Sequence, residues 1–190
     1  MGTDPFEALE AAAQKAEDLW RRGQFSSALE TYAQILSDRL ASISEGRAAF
    51  EAADLVITER LSDLAALMGH VDGADSLLAG MVALNKEAGN RYGADYSLLK
   101  RIHLALGCGL LHEAFEMLRE MEPSIGPVDN IEFSTAGLLR WETECRWPGA
   151  NSRDRAILFS RLYLEMGRIL AGLGQYGDAL TAFEAGLKHT

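Results

Sequence analysis

The sequence predicts an all-α protein built from stacked helical hairpins, and three observations carry that prediction. A short phrase returns four times: a turn glycine, an alanine five residues on, and a bulky apolar residue four beyond it. The instances are Gly23…Ala28…Tyr32, Gly69…Ala74…Leu78, Gly109…Ala114…Leu118 and Gly174…Ala179…Phe183. Recurrence at such intervals is the mark of a repeat architecture. Apolar residues between the phrases follow helical spacing. Finally, the chain has only 4 prolines, and no stretch alternates β-branched or aromatic residues with polar ones over a strand length.

The elements follow in order. The first helix is expected to open near Asp4, with Pro5 at its first position and Glu7 three residues on from Asp4. Leu9, Ala12, Ala13, Ala16, Leu19 and Trp20 form its apolar stripe, and Gly23 stops it. Ser26 or Ser27 is expected to cap the second helix, which carries Ala28, Leu29, Tyr32, Ile35 and Leu36. Ser42 or Ser44 should open a long third helix ending near Gly69, and Asp72 should cap the fourth. The fifth is expected over about 92–106 and the sixth over about 111–121. The phrase alanines lie 46, 40 and 65 residues apart, and the last interval accommodates an extra helix over about 129–146, capped by Asp129 or Asn130. Helices over about 152–173 and 177–188 close the count at nine. The expected organisation is one domain over 1–190, with hairpins at about 4–40, 44–87, 91–122 and 152–189 around that extra helix.

Composition narrows the function. The formal net charge is −10, which excludes the broad basic face needed to neutralise nucleic-acid phosphates or anionic lipid. Six arginines stand against four acids between Arg140 and Arg168, so this stretch is locally positive. The plain reading is a solvated face with internal ion pairs; the sharper one is a patch facing an acidic partner. Cys108 and Cys145 form no spaced pair, which suits a reducing compartment. The N-terminal residues lack the basic start and apolar core of a secretory leader, and no segment is apolar enough to span a bilayer. A cytoplasmic location is expected.

Chemistry is sparsely represented. Cys108 and His112 are four apart with His103 upstream, but Gly109 interrupts the helix between the first two, and a buried thiol beside two surface histidines is the expectation. The carboxylates fall on amphipathic helices where they are expected to face solvent. The glycines are dispersed as helix stops and form no phosphate-binding loop. Trp20, Trp141 and Trp147 read as packing residues. No catalytic residue, cofactor or metal is expected.

The repeated phrase resembles the tetratricopeptide repeat (TPR), a helix–turn–helix unit. The fullest match is Tyr163…Met166-Gly167…Leu170…Gly174…Tyr176…Ala179…Phe183; the first hairpin matches in its second half, with Ala16 at the helix-one glycine position. The middle two depart from the pattern, with Thr58 and Leu98 where the opening aromatic stands. The longer interval and the connector over 86–94 are similar to a branch common in bacterial regulatory and signalling proteins. The resemblance implies a TPR-like α-solenoid whose first helices line a groove for an extended peptide or partner helix. Carried over by position, the groove-facing candidates are Glu17, Trp20 and Arg21, then Glu59 and Asp63, then Tyr96 and His103, and Arg161 and Arg168. The acids in the first two hairpins disfavour capture of a terminal carboxylate. The expected function is a protein-interaction scaffold whose partner is another protein or another domain of its own chain. A regulatory segment of a larger enzyme or signalling ATPase is the alternative, as is a self-assembling adaptor joined through the uncapped final hairpin.

Overall fold

Each phrase glycine is a helix stop of one geometry. Gly23, Gly69, Gly109 and Gly174 take φ of 74°, 85°, 77° and 78°, a left-handed conformation that costs glycine nothing. Gly23 N–H donates to the Trp20 carbonyl at 2.8 Å and Gln24 N–H to that of Leu19 at 2.9 Å, a Schellman closure; the other three repeat it. The chain then re-enters a helix at once. The N–H groups of Ala28, Ala74, Ala114 and Ala179 each donate at 3.0 Å to the carbonyl four residues back, the first bond of the new helix. The phrase is therefore a complete helix-stop, helix-start unit.

The structure, a computed structural model, describes residues 5–47, 52–121, 147 and 150–190. Among them are eight helices and no strand: α1 (Pro5–Arg21), α2 (Phe25–Ser44), α3 (Ala52–Leu67), α4 (Val71–Glu87), α5 (Arg91–Gly107), α6 (Leu111–Met121), α7 (Ser152–Gly172) and α8 (Tyr176–Leu187). The expected helix over 129–146, with Asp129, Asn130, Trp141 and Cys145, lies outside the described residues, as do Arg140 and Arg146.

Several helix starts differ from expectation. The residue after the glycine occupies the N-cap position, so Ser26 and Ser27 lie inside α2 and Asp72 inside the first turn of α4. Gln24 and Gln175 share one backbone conformation there, and neither makes a side-chain cap. The glycine turn is so tight that the next residue takes the cap position whatever its side chain. Ser42 and Ser44 do not open α3; both end α2 and donate back to the Asp38 and Ala41 carbonyls. Two asparagines do make side-chain caps. Asn90 accepts from Gly93 N–H at 3.1 Å, and Asn151 from Asp154 N–H at 2.8 Å.

The chain forms two compact units, 1–81 and 82–190, with the boundary inside α4. In the first unit α1 packs on α2 and α2 on α3. Its core is Ala16, Ala28, Tyr32, Ile35, Leu36, Ile57, Leu61 and Leu64. Between α2 and α3, Arg39 grips Asp54 through two parallel bonds, Nε to Oδ1 at 2.7 Å and Nη2 to Oδ2 at 2.8 Å. In the second unit α5 pairs with α6 and α7 with α8, while α7 also packs on α5 and α6. Phe115, Leu118, Tyr163 and Ile169 are fully enclosed there. Trp147 is buried too; its ring meets Phe159 edge-on at 4.9 Å and its Nε1–H donates to Asp95 at 2.8 Å. All four phrase alanines are buried, as are Tyr32, Leu78 and Leu118; Phe183 is half-buried, its ring lying over Gly167 of α7 where any Cβ would collide.

Two further expectations change. Cys108 is exposed, because it sits in the turn that ends α5. Three carboxylates, Asp54, Asp95 and Glu165, are buried, each beside a donor from another element.

Candidate interaction surface

The position-by-position candidates fall into two groups, one in each unit. In the first unit, Glu17 sits on α1 at the edge of an open cleft of about 720 Å³, beside Ala13, Tyr32, Ile57 and Arg60. Its carboxylate accepts from the Tyr32 hydroxyl at 3.2 Å and meets Arg21 Nε at 3.4 Å and Arg60 Nε at 3.7 Å. The Arg60 guanidinium also lies 5.0 Å over the Trp20 ring, a cation–π contact. Arg21 is thus tied in through Glu17, while Glu17 and Trp20 are joined by Arg60, a residue absent from the sequence candidates. It approaches from another helix, so no local spacing announces it. Burial pushes the Tyr32 phenol up to about 12, and the neighbouring Glu17 charge and hydrogen bond push the same way. Glu59 and Asp63, one turn apart on α3, are half-buried and engaged in interactions of their own.

In the second unit four candidates meet on the seam between α5 and α7. Arg161 of α7 stacks on the Tyr96 ring of α5, its guanidinium carbon 4.7 Å from the ring centre. Tyr92 lies 6.2 Å from Tyr96 along the same face. One turn of α7 further on, Glu165 is the centre of a tight cluster. It holds His103 Nδ1 at 2.7 Å through one oxygen and Arg168 Nη1 at 2.7 Å through the other. A carboxylate can only accept, so His103 Nδ1 carries the hydrogen and donates it. Arg168 Nη1, 2.9 Å from the same ring nitrogen, therefore gives its hydrogen to Glu165. The Glu165 side chain is only 4% exposed whereas that of His103 is 59% exposed, so a buried anion fixes donors that reach solvent. Leu99, Lys100 and Leu164 complete a cleft of about 200 Å³ with His103, Arg161 and Glu165.

Glu165 carries no distinguishing mark in the sequence. Its spacing from Arg161 and Arg168 is legible as a helix-face pairing, but its burial against α5 is not. Among the described residues no group of three His, Cys, Asp or Glu side chains is placed to hold a metal ion. Nor is any described helix long and apolar enough to cross a membrane.

No protein-family model and no curated protein matches the chain. Among solved structures it is similar to a single-substitution variant of a Podosopora anserina protein, assigned as a kinesin light chain with nearly identical TPR-like repeats. That match has a TM-score of 0.52 at 16% identity and covers 99% of this chain and 97% of that one. A second structure of the same protein matches with a TM-score of 0.47 at 17% identity, over 96% and 94% of the two chains. The likeness establishes the class of fold: an all-α, TPR-like helical repeat.

Proposed function

We propose that this chain is a non-catalytic protein-interaction scaffold that receives a peptide or partner helix on the first helices of its hairpins. The observation that carries this reading is the seam between α5 and α7. There the buried Glu165 holds His103 and Arg168 in advance, and one turn away Arg161 lies over the Tyr96 ring. Interaction sites gain affinity when such groups are ordered before the partner arrives. Aromatic and arginine side chains are also the types that carry most binding energy at interfaces. The exposed Cys108 thiol suits a reducing, cytoplasmic setting.

The test is selection of peptides from a display library against the full chain, followed by hydrogen–deuterium exchange with each selected peptide. Protection over 91–107 and 152–172, lost in an Arg161→Glu/Arg168→Glu variant that keeps its helical content, is the expected result. Selected peptides that protect neither segment overturn the reading.

A further inference from the structure

We infer that α8 pairs with α8 of a second copy of this chain, antiparallel and about a two-fold axis. Tyr176, Leu180, Phe183 and Leu187 follow one another at intervals of four, three and four residues, which places them in one narrow stripe along the helix. Tyr176 is 73% exposed, Leu180 58% and Leu187 70%, while Phe183 is half-buried. The buried residues of α8, Ala179, Ala182 and Gly186, lie about a quarter-turn round the helix, on the side that packs against α7. The stripe is therefore additional to the hairpin's own packing. Large apolar side chains contiguous on a surface mark a contact site.

The repeat itself shows what such a face receives. Counted from the turn glycine, Tyr176, Leu180 and Phe183 stand where α6 has Leu111, Phe115 and Leu118. There α7 covers the face: Leu111, at the start of α6, lies against Gly172 at the end of α7, and Phe115 and Leu118 are fully enclosed. A second α8 laid antiparallel takes the same place over the first. About a two-fold axis the stripe is self-complementary, because Tyr176 meets the second copy's Leu187 and Leu180 meets its Phe183. Charge favours that direction. Antiparallel pairing sets the first turn, with Asp178, beside the C-cap Lys188, and Glu184 opposite Gly177; parallel pairing would oppose each acid to its own copy. A 12-residue helix is about 18 Å long, so the contact is smaller than the roughly 800 Å² per partner of a standard interface. The dimer is accordingly reversible, and it closes at two copies.

Sedimentation velocity on the full chain, at concentrations up to about 1 mM, tests this. The expected result is a reversible monomer–dimer equilibrium with no larger species. Leu180→Asp should weaken the dimer about tenfold or more, with circular dichroism unchanged because the side chain is exposed. Two double variants then test the direction. In an antiparallel pair Tyr176→Glu/Leu187→Glu opposes like charges, whereas Tyr176→Glu/Leu187→Lys opposes unlike ones. The second should dimerise about tenfold or more tightly than the first. A chain that stays monomeric at every concentration, species that grow beyond two copies, a dimer indifferent to Leu180→Asp, or equal affinities in the two double variants each overturns the inference. None of these substitutions touches the α5–α7 seam, so this inference and the scaffold reading stand or fall separately.

Discussion

Tyr32 and Asp54 show how single polar groups are made to serve an apolar core. The Tyr32 hydroxyl reaches out of the first core to the Glu17 carboxylate, and its phenol is pushed up to about 12, by burial first and by Glu17 second. An unfolded tyrosine titrates near about 10. The folded state thus holds this proton more tightly, and the corresponding stability is present below about pH 10 and lost as pH rises through about 12. Ultraviolet titration of the native chain against Tyr32→Phe should place the missing tyrosinate signal above about pH 11, with Glu17→Gln moving it down. A signal near pH 10 would show that the Tyr32 phenol is neither buried nor paired with Glu17. Asp54 is a starker case, its side chain 1% exposed and gripped by both ends of the Arg39 fork. Arg39→Ala leaves that carboxylate without its bidentate partner and should cost about 3–5 kcal/mol, whereas Arg39→Met/Asp54→Leu should cost far less. Urea denaturation of both variants measures the difference; similar midpoints would show that the pair contributes through packing alone.

At the scale of elements, glycine does two unrelated jobs. In the turns it supplies a left-handed backbone, whereas at Gly167 it supplies room, since the Phe183 ring of α8 occupies the space a side chain would need. Gly80 does neither: it lies exposed within α4, and an added methyl group there would meet only open space. Gly167→Ala should therefore overpack the α7–α8 crossing and cost about 1–3 kcal/mol. Gly80→Ala should stabilise by about 0.5–1 kcal/mol, by removing freedom from the unfolded chain. Thermal melts should move in opposite directions, and a common shift would refute the packing assignment. The phrase also extends beyond its four instances. Gly89, Ala94 and Leu98 repeat it at the same spacing, with φ of 69° at Gly89 and a 3.1 Å bond from Ala94 N–H to the Asn90 carbonyl. There it joins α4 to α5 and links one hairpin to the next. Helix existence and order were legible because periodicity and glycine stops act over a few residues. Helix starts were less so, because the tight turn places whatever residue follows the glycine at the cap.

For the molecule as a whole, the all-α repeat character could be read from the chain by itself, since it depends on local rules repeated at intervals: an apolar stripe, a stop, a small residue at each crossing. The choice of Tyr96, His103, Arg161 and Arg168 came from position within the repeat, and the fold brings these four onto one seam. Only tertiary structure brought Arg60 over Trp20, buried Glu165 against His103, and placed Lys100 beside Arg161. These contacts join residues 40 to 62 positions apart in sequence. Helical periodicity says which face a residue occupies, but not which face of another helix will meet it. That pairing is set by how whole hairpins pack, and it decides which charges are buried, which are neutralised and which remain at the surface.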